Sequence, residues 1–240
     1  MNYSGLLPTP IILFFLFPTV VLADGSLIDK IYHPYVQPQE KEFEIRGGLQ
    51  SDDVDNLGDG IDTYRFAYGQ SLNDRWFAEF YLIGKKSPNN SFDIDTAELE
   101  LLWQITEQGE YAADWGMLFE LERSLDDDIT EISTAFLVER QWRQWVGTAN
   151  FHFIYEWGDD IESEMETGLA LQTRYRYSRS LEPAIELYIG ENSKGIGPVL
   201  LGNVRLGGRK QLRWETGIIA GLNDDTPDTT FKFLIELEFY

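Results

Sequence analysis

Two histidines are the side chains of this chain best suited to move protons near neutral pH. His33 precedes a Pro-Tyr pair, and His152 precedes a Phe-Ile pair. A hydroxyl nucleophile needs a base within hydrogen-bond reach, and neither histidine has a serine two residues further on. The sequence therefore predicts no catalytic residue and no cofactor, and His152 is expected to be a hydrogen-bonded member of a polar network.

An acidic stretch at 53–60 has alternating carboxylates and a turn glycine, as calcium-binding loops do. Leu57 occupies a position where such a loop needs an oxygen ligand, and no glutamate stands at the twelfth position. The flanking helices of a calcium-binding hand are also missing from the pattern. We expect a solvated hairpin loop here and predict no specific metal site.

The stretch 230–239 shows which kind of element must carry the polar side chains. One face carries Phe231, Phe233, Ile235, Leu237 and Phe239, and the other carries Lys232, Glu236 and Glu238. A period of two predicts a β-strand. In a soluble sheet the charged face meets water, whereas in a membrane barrel the apolar face meets lipid and the charged face lines the lumen.

Alternating runs of this kind recur along the chain from Glu42 onward, with one placed at 110–122. There are about twelve, each of roughly ten residues, the length that a tilted strand needs to cross a bilayer. Long acidic connections, as at 123–130, are expected to alternate strictly with short basic ones, as near 142 and 209. The predicted fold is therefore all-β, a transmembrane up-and-down antiparallel β-barrel of about twelve strands, rather than a soluble sandwich.

Parity assigns the polar side chains to the inside of this barrel. The predicted lumen-facing residues are Arg46, Arg65, Glu79, Glu98, Glu100, Asp114, Glu120, His152, Arg174, Arg176, Glu186, Arg205, Arg213, Glu215, Lys232 and Glu236.

Aromatic residues near the short connections predict a girdle at one membrane interface, where a ring can meet hydrocarbon and water at once. The girdle residues are Trp76, Trp103, Trp145, Trp214, Tyr111 and Tyr175. Trp115 and Trp157 do not fit this level. Packing in a sandwich core is the alternative, but core tryptophans would not sort by the length of the nearest connection.

The N-terminal part divides into two predicted segments. Residues 1–23 carry no charge and end on small residues, which predicts a secretory signal peptide cut after Ala23. A membrane anchor is the alternative, although Pro18 interrupts a short apolar run. Residues 24–40 are expected to be a periplasmic lead-in, and residues 41–240 the outer-membrane barrel.

The end of the chain resembles the assembly signal of Gram-negative outer-membrane β-barrels, a last strand that closes on an aromatic residue. Phe233, Ile235, Leu237 and Phe239 match it, although Tyr240 follows the closing aromatic. The resemblance reaches no named family. It implies a place in the outer membrane and the barrel-assembly machinery as a partner. Lipid-modifying enzymes of this class use a His-x-Ser pair, which this chain lacks.

Three functions remain open at this level. The first is a narrow porin-like or solute-specific channel with acidic mouths and a weak preference for cations. The second is a non-conducting structural or adhesive barrel, and the third is a lipid-modifying enzyme. The net charge of −22 excludes nucleic acid as a partner. Outer-membrane lipid and lipopolysaccharide are the expected partners, joined to the acidic loops by divalent cations.

Overall fold

A computed structural model describes residues 27–51, 60–86, 91–159 and 161–240. The signal peptide and nearly all of the acidic stretch 53–60 lie outside these residues. The described chain forms twelve strands. They are β1 Lys41–Ser51, β2 Asp62–Ser71, β3 Trp76–Lys86, β4 Asp93–Gln104, β5 Asp114–Ser124, β6 Ile129–Trp142, β7 Trp145–Gly158, β8 Glu164–Tyr175, β9 Glu182–Ile189, β10 Lys194–Gly207, β11 Lys210–Gly221 and β12 Thr229–Phe239.

The strands form one closed barrel in which each strand pairs antiparallel with its neighbours in sequence. β1 and β12 close it, in a register that runs from Lys41↔Phe239 to Ser51↔Thr229. Closure leaves no strand with unpaired backbone groups at an edge. The predicted up-and-down barrel of about twelve strands is confirmed. Within the described residues, no helix is long and apolar enough to span a bilayer.

Burial of the two faces is inverted relative to a soluble sheet. On β4, Leu99 is 42% exposed, while its neighbours Glu98 and Glu100 are 5% and 1% exposed. The same inversion occurs on β12, where Ile235 is 50% exposed and Glu236 is 3% exposed. A soluble sandwich would expose the charges and bury the apolar face. The outer surface is therefore apolar and the interior is charged, as lipid on the outside requires.

The connections lie at two ends of the barrel. The loop end carries 52–61, 87–92, 125–128, 159–163, 190–193 and 222–228, and the turn end carries 72–75, 105–113, 143–144, 176–181 and 208–209. The expected strict alternation in length is wrong, because 105–113 at the turn end is longer than 125–128 at the loop end. The alternation in charge is clearer, with Asp126, Asp127 and Asp128 at the loop end and Arg143 and Arg209 at the turn end.

The longer connection 105–113 also moves one aromatic residue. β5 begins at Asp114 rather than at residue 110, so Trp115 is its second residue and lies near the turn end. Trp115 therefore lies with the girdle residues, against the expectation from sequence, and packs on Phe136 with ring centroids 5.3 Å apart. The error arose because Glu110 and Tyr111 continue the alternating pattern although they form a turn.

The predicted girdle residues lie close to the turn end of their strands. Trp76 begins β3 and stacks on Trp103 with ring centroids 5.5 Å apart. Trp145 begins β7 and meets Tyr175 edge-on at 5.0 Å. Trp214 lies on β11, and Tyr111 is exposed in 105–113. Tryptophan and tyrosine at one level of a barrel are typical of a membrane interface.

The apolar face of β12 is on the outside of the barrel, with the predicted assembly residues Phe233, Ile235, Leu237 and Phe239 on it. Tyr240, the departure from the assembly pattern, takes the opposite parity. Its hydroxyl lies 3.0 Å from Glu40 Oε1 and 3.0 Å from Glu238 Oε2, and accepts a 3.0 Å hydrogen bond from Gln211 Nε2. Tyr240 therefore ties the end of β12 to the residue that precedes β1.

Candidate functional site: the barrel lumen

Most of the predicted lumen residues lie on the inner wall. Those with buried side chains or ion pairs inside the barrel are Arg46, Arg65, Glu79, Glu98, Glu100, Asp114, Arg174, Glu186, Arg213, Glu215, Lys232 and Glu236. Glu120 and His152 line an internal cavity. Arg176 lies beyond the end of β8, and Arg205 is exposed near the turn end of β10, so these two lie at the rim and not in the lumen.

The inner wall places like charges directly opposite each other on neighbouring strands. Arg46 on β1 pairs with Arg65 on β2. Glu44 on β1 pairs with Glu236 on β12, and Glu100 on β4 pairs with Glu120 on β5. Like charges in this position repel, and burial strengthens the repulsion. The wall therefore needs counter-charges from elsewhere.

Part of this counter-charge comes from residues 27–40, which we call the lumen segment. It runs inside the barrel from Leu27, which contacts Gly168 and Gly190 near the loop end, to Glu40 at the turn end. The expected periplasmic lead-in is therefore placed within the lumen over the part that the structure describes. The reason is the unbalanced charge of the wall, which a strand-by-strand reading of the sequence does not register.

Asp29 bridges the two opposed arginines. Its Oδ1 lies 3.2 Å from Arg46 Nε, and its Oδ2 lies 3.3 Å from Arg65 NH1. Burial opposes its ionisation, but the attraction of Arg46, Arg65 and Lys232 prevails and lowers the pKa of Asp29 to about 2. One carboxylate thus relieves the repulsion between two wall cations.

Lys30, the next residue, does the same for the carboxylates. Its Nζ donates a 2.6 Å hydrogen bond to Glu44 Oε2 and lies 3.8 Å from Glu79 Oε2 and from Glu236 Oε2. Burial disfavours the charged ammonium, yet Glu44 and its neighbours outweigh burial and hold the pKa of Lys30 well above its usual range. Adjacent residues of the segment therefore neutralise opposite charges on β1 and the strands near it.

The middle of the segment is fixed by hydrogen bonds to side chains of the wall. Asn150 accepts from the backbone N–H of Tyr32 at 2.7 Å and donates to the carbonyl of the same residue at 2.9 Å. The Tyr32 hydroxyl donates to Glu100 Oε1 at 2.6 Å and accepts from Arg46 NH1 at 3.0 Å. Both backbone groups of a buried residue are thus satisfied by one wall side chain, as burial requires.

Towards the turn end, polar contacts continue. His33 Nδ1 lies 2.6 Å from Glu139 Oε2, and the Tyr35 hydroxyl donates to Asp114 Oδ2 at 2.7 Å. The backbone N–H of Val36 donates to Gln104 Oε1 at 2.7 Å. Burial, helped by Arg174, lowers the pKa of His33 to about 4 against the opposing effect of Glu139. At neutral pH the imidazole is therefore uncharged and donates from Nδ1.

Apolar packing supplements these bonds on one side of the barrel. Ile28 and Ile31 pack with wall residues of β8 to β11, namely Ala170, Ala184, Tyr188, Val199, Leu201 and Ile219. On the other side, a Cβ added at Gly116 of β5 would lie 2.9 Å from Pro34 Cβ, closer than a real contact allows. The wall therefore has small residues where the segment approaches it most closely.

A second charged cluster lies in the wall itself. Lys232 Nζ lies 2.8 Å from Glu186 Oε2 and 2.7 Å from Glu215 Oε1, and donates to the backbone carbonyl of Asp29 at 2.8 Å. Its cation is matched within the wall by two carboxylates, so this cluster needs only one backbone contact from the segment.

The loop half of the lumen is open by comparison. A cavity of about 660 Å³ lies between the segment and the loop end. We call it the acidic vestibule, because acidic residues outnumber basic ones on its surface. Its wall carboxylates include Glu98, Glu120, Glu122, Glu131, Glu156 and Glu166.

Carboxylates approach each other closely enough to share a cation at two places in the described residues. One set is Glu98, Glu100 and Glu120, and the other is Glu42, Glu44 and Glu236. Arg46 lies 3.4 Å from Glu100, and Lys30 lies against Glu44 and Glu236. Protein cations therefore accompany both sets, and neither requires a metal ion for charge balance.

Sequence reasoning missed the residues of the lumen segment, above all Asp29, Lys30, Tyr32 and His33. It also missed the inward tyrosines of the wall, such as Tyr81, because it sorted by polarity alone. One signal was present: residues 27–40 mix charges and aromatics without the glycines or serines of a linker.

Comparison with known proteins adds to this geometry. No protein-family model and no curated protein matches the sequence. Among solved structures, an outer membrane channel from Pseudomonas putida F1 matches with a TM-score of 0.58 at 14% identity, over 88% of this chain and 99% of that one. The NanC porin matches with a TM-score of 0.56 at 11% identity, over 82% of this chain and 99% of the porin.

A third neighbour is the KdgM porin, whose structure contains a disordered oligogalacturonate. It matches with a TM-score of 0.54 at 8% identity, over 83% of this chain and 98% of the porin. Likeness at such low identity establishes architecture and nothing finer. The chain has the β-barrel fold of outer-membrane channels and porins.

Proposed function

We propose that this protein is a narrow outer-membrane channel with a preference for cations, and that the conformation described here is its closed state. The observation that carries the proposal is that the lumen segment, and not the barrel wall, fills the turn half of the lumen. A barrel of this size has an interior wider than its own side chains fill. Without residues 27–40 the charged wall would be hydrated, and a passage would be open.

Charge supports the cation preference. The acidic vestibule concentrates carboxylates at the loop end, and a charged, low-dielectric mouth raises the local concentration of counter-ions. The KdgM porin binds an oligogalacturonate, which is a polyanion. The vestibule of this chain would repel such a solute, so we do not extend that ligand to it.

The described part of the lumen segment also supports the second candidate, a non-conducting barrel. Glu42, Glu44 and Glu139 on the wall of the turn half are 5%, 1% and 1% exposed, so bulk solvent barely reaches them. The channel and the non-conducting barrel differ in whether residues 27–40 can move out of the lumen. The polar character of the contacts favours release, since every separated charge would gain water in place of its partner.

A lipid-modifying enzyme receives no support from the positions of the histidines. His33 is in the lumen segment and His152 lines the vestibule, whereas a lipid substrate would meet the outer face. The expected position in a Gram-negative outer membrane, and the recruitment of lipopolysaccharide through divalent cations at the loop end, are part of this proposal. The acidic connection 125–128 is the described element suited to that contact.

The test is electrical. Full-length protein and a variant lacking residues 27–36 are refolded and inserted in planar bilayers, with an Arg75→Ala variant as a control because Arg75 pairs with Glu107 on the exposed turn end. We expect brief, rare openings of the full-length protein and of the control. The deletion should give a steady, cation-selective current, read from the reversal potential in a salt gradient.

A reversible variant avoids reliance on the deletion. The chain has no cysteine, and Pro34→Cys with Gly116→Cys would place two thiols close enough for a disulfide after a small shift. Oxidation should abolish openings and reduction should restore them. Silence of every variant would reject the channel, and full conductance of the oxidised protein would reject the closed state.

A further inference from the structure

One cation of the lumen segment, Lys30, lies in a pocket made by three strands of the wall. Glu44 on β1, Glu79 on β3 and Glu236 on β12 each direct one carboxylate oxygen, Oε2, at Lys30 Nζ. We call these three residues the carboxylate cage. Their side chains are 0%, 7% and 4% exposed, and that of Lys30 is 7% exposed.

The cage is held together by groups other than Lys30. The Tyr81 hydroxyl lies 3.2 Å from Glu44 Oε1 and 2.9 Å from Glu79 Oε1. Arg213 NH1 lies 3.7 Å from Glu236 Oε2. Tyr81 is fully buried and belongs to β3, so it stays in place if the segment moves. The wall therefore positions the three carboxylates by itself, and Lys30 occupies a site that is built without it.

We propose that the carboxylate cage binds the terminal ammonium group of a primary-amine solute, and that Lys30 occupies it in the closed state as a tethered mimic of that solute. Lys30 Nζ donates one hydrogen bond, to Glu44 at 2.6 Å, and Glu79 and Glu236 attract its charge from 3.8 Å, so a compact ammonium with an N–H donor fits among the three carboxylates.

A solute can reach this place from the loop end. Lys30 forms part of the surface of the acidic vestibule, so the vestibule leads to the cage. The carboxylates of the vestibule would attract a cationic solute and raise its concentration near the cage. Binding in the cage stands on this geometry alone, and only the further step, passage of the amine across the barrel, rests on the proposed channel function.

The experiment is chemical rescue of a variant that empties the cage. Lys30→Ala removes three methylenes and the ammonium, and n-butylammonium supplies an ammonium on an alkyl chain that is one carbon longer than the part removed. The full chain is refolded in detergent micelles at low salt, and its thermal midpoint is followed with and without the amine. Tetramethylammonium serves as a probe of the same charge that has no N–H donor.

We expect n-butylammonium to raise the midpoint of Lys30→Ala by about 2–4 °C, with the wild type unchanged because its cage is filled. Lys85→Ala is the matched control, since Lys85 is a lysine at the loop end, 3.9 Å from Asp95 and outside the cage. It should not respond. Lys30→Ala combined with Glu236→Gln should lose most of the response, because one wall of the cage has lost its charge.

Equal shifts with tetramethylammonium, or an equal shift of Lys85→Ala, would overturn the proposal. If Lys30→Ala does not fold, the refolding yield becomes the measurement, and a yield restored by n-butylammonium alone supports the cage. A yield that no amine restores rejects it. Because neither readout is electrical, rescue with a silent bilayer would retain the cage and reject the channel, and conductance without rescue would do the reverse.

Discussion

In the turn half of the lumen, wall carboxylates such as Glu42 and Glu44 are almost without solvent, whereas in the loop half Glu122, Glu131 and Glu156 line an open cavity of 660 Å³. The wall is made in the same way in both halves, from strands that alternate apolar and charged residues. The contents differ, because residues 27–40 fill the turn half, whereas in the loop half their first residues leave a cavity beside them. The same kind of side chain is therefore a structural partner in one half and a solvated charge in the other.

Solvent access decides how much each charge contributes to stability. A buried charge that loses its partner cannot turn to water, so its loss is expensive. An exposed pair exchanges protein contacts for hydration and contributes little. The comparison between the halves can be tested by removing one cation from each.

The largest expected effect is the loss of Arg46. Its side chain is 3% exposed and serves Asp29, Glu44 and Glu100 at 3.2 to 3.4 Å. Arg46→Met should lower the free energy of unfolding by about 3–5 kcal/mol, because the buried carboxylates of Glu44 and Glu100 and the half-buried one of Asp29 lose a cation. Urea unfolding in lipid vesicles would measure it.

Lys85→Met is the control from the loop half, since the side chain of Lys85 is 52% exposed and its Nζ lies as far as 3.9 Å from Asp95 Oδ2. Its cost should stay below about 1 kcal/mol. Equal costs for the two variants would mean that water reaches both halves alike, and the comparison would fail.

The pH dependence of stability gives a second test of the comparison between the two halves of the lumen. The pKa of His33 is about 4 in the folded protein, against an ordinary value of 6.5, because its imidazole is buried in the turn half. Between these values the unfolded chain binds the proton and the folded chain does not. Stability is therefore complete above pH 6.5 and falls by about 3 kcal/mol through this residue as the pH drops to 4.

His33→Gln removes the titration and keeps a donor for Glu139. Urea midpoints at pH 7 and pH 4.5 should differ less for this variant than for the wild type. Arg75→Ala, at the exposed turn end, is the control, and its difference between the two pH values should equal that of the wild type. The same pH difference in wild type and His33→Gln would contradict the burial of this residue by the wall.

The smallest effect concerns the loop half alone. Glu122→Gln with Glu156→Gln, made in the variant that lacks residues 27–36, removes two charges of the acidic vestibule. The ratio of cation to anion permeability should fall by about two-fold, because other carboxylates still set the local potential. Reversal potentials in a salt gradient would show it, with Glu107→Gln at the exposed turn end as the control.

The sequence predicted most of the side chains that line the barrel wall, but it did not predict that residues 27–40 lie inside the barrel. Alternation assigned Glu98, Glu100 and Lys232 to the inner face, because a period of two has only two faces to choose from. It misjudged Arg176 and Arg205, since parity does not say where a strand ends. It also missed the position of Trp115, because the turn 105–113 begins and ends with residues that continue the alternating pattern.

The candidate site was beyond this kind of reasoning for a different physical reason. Each strand has a pattern of its own, but the repulsion of Arg46 from Arg65 exists only when β1 and β2 stand in register. The need for Asp29 between them cannot be read before that register is known. The same holds for Lys30 among carboxylates from β1, β3 and β12, which are far apart in sequence.

By itself, the sequence determined that the chain is a barrel of about twelve strands with an apolar outside and a charged inside, because local alternation is enough to fix both faces of a strand. Only the tertiary structure decided what the interior contains. Closing the sheet brought unbalanced charges together from distant strands, and residues 27–40 enter the lumen because they supply the missing opposite charges there.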